Sequence, residues 1–214
     1  MRRETYRRVR GLHTAISRPD GLDIMDTDGR RHHGVNQDWY DNFWRRKAGC
    51  GPCTATNMLR YFRGRLTLPM PADTPQEALA LMNWAWGYVT PTLMGLNSTQ
   101  LFQQGMDDIM AQLGSPLRCR VLDVPDAMAD RPDERQVADF IRDGLRADSP
   151  VAFLNLHNAG LPELDNWHWV TLTALSEGPE GLTATAADNG NLITLDLSRW
   201  LKEAKRGGGF VTCA

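Results

Sequence analysis

Apolar positions recur at helical spacing through the first half of the chain and at strand spacing through much of the second. From Pro52 onward, Ala55, Met58, Leu59 and Phe62 fall at i, i+3, i+4 and i+7, one face of a helix that Gly64 can end. Thr74 and Glu77 spell a T-x-x-E capping box around Pro75, a residue suited to the first helical position. The helix that this box opens carries Ala78, Leu79, Leu81 and Met82 towards Trp84 and Trp86. Ser98 can cap a third helix whose Phe102, Met106, Ile109, Met110 and Leu113 share a stripe, and Gly114 closes it.

After Pro116 the period changes. Leu117, Cys119 and Val121 alternate with Arg118 and Arg120, the pattern of a half-buried strand. A helix over residues 133–146 turns Val137, Phe140, Ile141 and Leu145 inward, and three apolar segments follow at 151–156, 167–175 and 182–187. Gly178, Pro179 and Gly181 separate the last two as a hairpin-type turn. A fourth strand at 192–197 lies beyond Asn189-Gly190; a short helix around Trp200 and a last strand near 210–212 complete the chain. Residues 11–36 mix Gly, Pro, Asp, Arg and His without clear periodicity, which predicts irregular surface structure with at most one short strand. The pattern as a whole predicts an α+β fold, with a helical first half, a mostly antiparallel second half and a cleft where they meet. Residues 1–35 read as an N-terminal arm or irregular segment, and 36–214 as a single domain.

Composition narrows the function classes. At 214 residues, of which 42% are hydrophobic and 23% charged, the chain can bury a sizeable core and is not a disordered protein. Twenty-four Lys and Arg against 26 Asp and Glu leave a net charge of −2, which argues against a dedicated nucleic-acid binder, whose surface needs a basic excess. No apolar run reaches the roughly 18 residues that a membrane span needs. Arg2, Arg3, Arg7, Arg8 and Arg10 crowd the N-terminus, which lacks the apolar core of a secretory signal; a solvated arm and an organellar transit peptide are the two readings. Four cysteines are too few for a dense disulfide framework and predict a reducing, cytoplasmic setting.

Four sites carry candidate chemistry. Gly49-Cys50-Gly51-Pro52-Cys53 stands directly before the first strong helix, so Cys50 lies at a helix N-terminus, where unpaired N–H groups and the macrodipole favour a thiolate. The flanking glycines allow close backbone approach to a ligand. The blander reading is a small buried hydrophobe. His168 opens an apolar strand between Trp167 and Trp169; alone it reads as a satisfied core histidine, and beside a candidate thiolate it reads as a general base. His157, which also ends a strand, competes for that role, whereas His13, His32 and His33 lie in charged, irregular stretches. Asp188 and Asn189 end the strand after the His168 strand, and a hairpin would bring either one back to orient the imidazole; Asp-Asn-Gly-Asn is also an ordinary turn sequence. Gln37, in Asn36-Gln37-Asp38-Trp39, carries an amide that can donate to a developing oxyanion alongside the Cys50 N–H. Trp39, Trp44, Trp84 and Trp86 are candidates to line an apolar pocket or to pack in the core.

Together these residues resemble the papain-like cysteine peptidases, nearest the branch that holds the bacteriocin-leader (double-glycine) peptidases and uncharacterised bacterial relatives. That branch carries a glutamine upstream, a Cys-Gly-Pro opening the central helix, a His-Trp-Val-type strand, and an Asp or Asn one strand later. Here these are Gln37, Cys50-Gly51-Pro52, His168-Trp169-Val170, and Asp188 or Asn189. The resemblance spans residues 36 to about 200. It implies a papain-like fold with the nucleophile helix packed on an antiparallel sheet, hydrolysis of a peptide or protein substrate through a thioester, and no metal or organic cofactor. An acyltransferase or a non-catalytic peptide-binding module would fit the same fold. A competing reading takes Cys50-Gly51-Pro52-Cys53 as the C-G-P-C dithiol of a thioredoxin-like oxidoreductase, with Thr90-Pro91-Thr92 where a cis-proline loop would stand. That reading lacks a buried strand before Cys50 and leaves His168 and Asp188 idle. A zinc site would need a second close pair beside Cys50 and Cys53, and the sequence offers none.

Overall fold

The structure, a computed structural model, describes residues 11–92 and 95–214; the Arg-rich stretch at residues 2–10 lies outside the described residues. Four helices follow one another in the first half: α1 (Phe43–Ala48), α2 (Cys50–Tyr61), α3 (Pro75–Trp86) and α4 (Thr99–Gln112). The capping box of α3 forms as its sequence predicts, the Ser98 side chain accepts the Leu101 N–H at the start of α4, and Gly114 takes a left-handed φ of +64° just beyond its end. Two further helices, α5 (Glu134–Arg146) and α6 (Leu197–Glu203), lie among the strands. Asp133 and Gln136 close a second capping box at α5.

Every residue of α2 is buried, so the apolar stripe read from the sequence marks only one of its contacts. The polar side chains on its other faces therefore need partners inside the protein. Thr56 Oγ1 donates to the Pro52 carbonyl at 2.8 Å. Arg60, 1% exposed, donates to the carbonyls of Ala72 (2.7 Å), Leu22 (2.5 Å) and Asp23 (3.0 Å). Burial lowers its pKa to about 10, which still leaves the guanidinium charged at neutral pH.

Nine strands are described: β1 (Leu12–Ala15), β2 (Asp23–Met25), β3 (Arg31–His33), β4 (Cys119–Val124), β5 (Val151–Asn155), β6 (His168–Gly178), β7 (Gly181–Asp188), β8 (Asn191–Asp196) and β9 (Gly208–Cys213). Seven form one sheet in the order β4-β9-β5-β6-β7-β8, with β1 also on β6; β2 and β3 pair as a separate hairpin. Every strand pair among the described residues is antiparallel. The long strand β6 is the organiser. One of its edges pairs with β5 from Leu172 back to His168 and with β1 from Ala174 on to Glu177, while the other pairs with β7. The architecture is thus mixed α+β with a mostly antiparallel sheet, and α2 packs against β6 and β5.

Two expectations need correction. Residues 11–36 contain three strands, and one of them belongs to the main sheet. These strands are three or four residues long, too short for a period-2 signal, and β1 is fixed by its backbone pairing with β6 while Leu12 and His13 stay exposed. The N-terminal segment is therefore part of the fold from residue 12 onward. The second correction concerns the cysteines. Cys119 and Cys213, paired across β4 and β9 and 94 residues apart in sequence, form a disulfide. Sequence distance hid a pair that strand register brings together. Among the described residues no helix is long and apolar enough to cross a membrane.

Candidate active site

Cys50 is the first residue of α2, and Gly49 precedes it with φ −83°. Neither flanking glycine has a left-handed φ; close packing accounts for both. A Cβ on Gly49 would lie 2.5 Å from both the Arg45 carbonyl and the Tyr40 ring, and one on Gly51 would lie 2.6 Å from Leu96. They let α1, Tyr40 and Leu96 press against the start of α2.

His168 begins β6 and Asp188 ends β7, so the β6–β7 hairpin returns the carboxylate to the imidazole. His168 Nε2 lies 2.7 Å from Asp188 Oδ1. Cys50 adds a second polar contact to the ring. Burial works against the imidazolium, yet the bonds to Asp188 and Cys50 outweigh it and hold the His168 pKa up at about 10. Asp188 makes the contact to His168, and Asn189 does something else. With a left-handed φ of +46°, Asn189 turns its Oδ1 to accept the Gln37 backbone N–H at 3.3 Å.

Gln37 opens a short 3-10 turn, Gln37–Trp39, capped by the Asn36 side chain. Its Nε2 donates to the Arg46 carbonyl of α1 at 2.6 Å, and its Oε1 is buried with no hydrogen-bond partner among the described residues. Gln37, Cys50, His168 and Asp188 line one cavity, together with Asn57 and Asn189. Residues separated by up to 152 positions are thereby brought together.

Asn57 is the member that sequence reading missed. It lies on α2 seven residues after Cys50, hence on the same face. Its Oδ1 accepts the Val35 N–H at 2.9 Å and its Nδ2 donates to Thr171 Oγ1 at 3.1 Å, which ties the Gln37 segment, the Cys50 helix and the His168 strand together. An amide at helical spacing from the candidate nucleophile was the available signal.

Of the competing candidates, Cys53 also lines this cavity, and the others sit elsewhere. His157 Nδ1 accepts the Ala159 N–H in the loop after β5. Trp39 packs edge-on to His32, Trp86 edge-on to Tyr40 and Trp84 against Tyr88; none of these three, nor Trp44 on α1, lines the cavity. Cys53 is buried with Ile24, Val35 and Tyr40, and burial pushes its thiol up well above the ordinary value. The residues before Cys50 are helix α1 rather than a strand, and Thr90-Pro91-Thr92 leads into an isolated bridge, Thr92 to Gly95, outside the sheet. Among the described residues no group of three or more His, Cys, Asp and Glu side chains is placed to share a metal ion.

Trp167, directly before His168, has a left-handed φ of +57°, which costs a bulky residue about 1–3 kcal/mol. The loop in front of it is fastened on both sides: Asn155 Nδ2 donates to the Asp165 carbonyl at 2.5 Å, and Asn166 Oδ1 accepts the Asn158 N–H at 2.7 Å. Trp167 is the joint between that loop and the start of β6.

The raised His168 pKa links stability to pH. Its contribution is full below the ordinary value of 6.5 and is lost as the pH rises through about 10. Denaturation midpoints recorded from about pH 6 to about pH 10.5 should fall more steeply for the wild type than for His168→Gln. Parallel curves would show that another group is responsible.

No protein-family model matches the chain, and no curated protein matches it.

Proposed function

We propose that the chain is a papain-like cysteine hydrolase that cleaves a peptide or amide bond. The observation that carries the reading is the placement of Cys50, His168 and Asp188 around one cavity, with His168 Nε2 at 2.7 Å from the carboxylate. A sulfur nucleophile, a proton carrier and a carboxylate that orients it are the three parts of nucleophilic acyl transfer. The placement of the cysteine at the head of a buried helix packed on an antiparallel sheet is in keeping with the papain-like resemblance.

In this reading the Cys50 sulfur attacks the scissile carbonyl and its proton passes to His168. The oxyanion that forms takes hydrogen bonds from the Cys50 N–H and from the second Nε2 hydrogen of Gln37, the first being spent on Arg46. One such donor is typically worth about 3–4 kcal/mol in the transition state. The carbon–nitrogen bond breaks, His168 delivers its proton to the leaving amine, and a thioester remains. Water attacks the thioester with His168 accepting its proton, the acid departs, and the thiol is restored. An amine in place of water would give acyl transfer by the same residues.

The test is labelling by iodoacetamide at neutral pH, with the modified residue mapped by mass spectrometry, followed by a panel of peptidyl chloromethyl ketones. Cys50 should be modified at once by both reagents while Cys53, whose thiol is pushed up well above the ordinary value, stays unmodified. An inert Cys50, or equal labelling of Cys50 and Cys53, would remove the basis for a hydrolase.

A further inference from the structure

The strained Trp167 has a partner that the catalytic series does not use. The Arg206 guanidinium lies over its indole, 4.7 Å from the ring centroid. Strand register places both residues at the end of the sheet that holds His168: Asn155 pairs with His168 on one side and with Gly208 on the other, so the chain before β6 and the chain before β9 emerge side by side. The Gly207-Gly208-Gly209 run fixes Arg206 there. A Cβ on Gly207 would lie 1.7 Å from the Val124 carbonyl and one on Gly208 2.0 Å from the Leu154 carbonyl, so only glycine lets this segment press in between β4 and β5. Asp126 then holds the segment, accepting the Gly207 N–H at 2.8 Å and facing Arg206 Nε at 3.4 Å. Among the described residues neither Nη group of the guanidinium has a hydrogen-bond partner, and the indole is 39% exposed.

We infer that Trp167 and Arg206 form a recognition platform for the leaving-group side of the substrate, and that the group it takes is a carboxylate. The inference rests on the hydrolase reading above. His168 must give its proton to the leaving nitrogen, and Trp167 is its immediate neighbour in the chain, which is the ground for putting the platform on the departing side of the substrate. An indole face offers apolar contact to a short stem, and a guanidinium fork matches a carboxylate at its end. An Asp or Glu side chain just after the scissile bond and the terminal carboxylate of a short leaving segment would both satisfy this chemistry.

The experiment digests a synthetic mixture of peptides of defined sequence with the full chain and reads the cut sites by mass spectrometry. Matched pairs are then compared, Glu against Gln after the scissile bond and a C-terminal acid against its amide. The wild type should prefer the acidic member of one pair, and which pair tells the two sources apart. The ratio of kcat/KM for the acidic over the neutral member should fall about three- to tenfold in Arg206→Gln, and KM rather than kcat should carry the change in Trp167→Gly, whose backbone relaxes at a positive φ. A ratio of one in the wild type, an unchanged ratio in Arg206→Gln, or a labelled Cys50 without cleavage of any peptide would overturn the platform. If Cys50 itself is inert to iodoacetamide, the hydrolase reading fails and the platform with it, so the labelling result separates the two failures.

Discussion

Replacing His168 with alanine should lower turnover of a cleavable peptide by about 10³- to 10⁴-fold, because one ring carries the proton in both halves of the proposed reaction. The imidazole takes the proton of the Cys50 thiol and returns it to the leaving amine, and its Nε2 is already committed to Asp188 at 2.7 Å. Alkylation of Cys50 at neutral pH should slow in the same variant, since the sulfur loses the neighbouring imidazolium that favours a thiolate. Asp188→Asn should act in the same direction and more weakly, because the ring keeps a hydrogen-bonding neighbour but loses the charge that favours the imidazolium. His168→Gln fills more of the buried volume than alanine, and circular dichroism of both variants checks that the fold survives. Turnover within tenfold of the wild type in a folded His168 variant would remove the imidazole from the reaction.

Loss of the Cys119–Cys213 bridge is the second large effect expected. The cross-link joins positions 94 residues apart, and in the chain-entropy account a loop of about 100 residues stabilises by about 4.7 kcal/mol, with measured losses typically about 2–5 kcal/mol. At about 2–4 °C per kcal/mol for a chain of this size, Cys119→Ala should lower Tm by roughly 4–20 °C. Both sulfurs are buried, at 5% and 0% exposure for their residues, so part of the loss would come from the packing of β4 on β9. Thermal melts with and without a reductant give the comparison. A wild type whose Tm ignores complete reduction, verified by thiol counting, would show that the bridge contributes no stability.

The elements legible in the sequence are those whose signals are local. Thr74 and Glu77 cap α3, Ser98 caps α4, and the hairpin at Gly178–Gly181 forms, because each signature concerns groups within a few residues of one another. Cys50, His168 and Asp188 were nominated by residue type and by their places at element ends, and the structure brings those three side chains together. What stayed hidden depends on register between distant segments. The β1 pairing, the Cys119–Cys213 bridge and the placement of Arg206 over Trp167 all follow from which strands lie beside which, and no window of a dozen residues contains that information. The choice between Asp188 and Asn189 was illegible for a finer reason. Adjacent residues point to different partners, and the left-handed backbone at Asn189 decides which of them meets the imidazole.

The buried guanidinium of Arg60 has a consequence for where the polypeptide can be cut. Two of its three carbonyl acceptors belong to Leu22 and Asp23, and Tyr61 next to it on α2 donates to Asp148 while its hydroxyl also receives the Arg18 N–H. A fragment beginning at residue 36, the boundary that hydropathy suggests, would leave a cation in the interior with one carbonyl in place of three. The segment before that boundary is thus the electrostatic lining of the helix that carries Cys50, and an expression fragment made without it would be short of the counter-dipoles on which that helix depends.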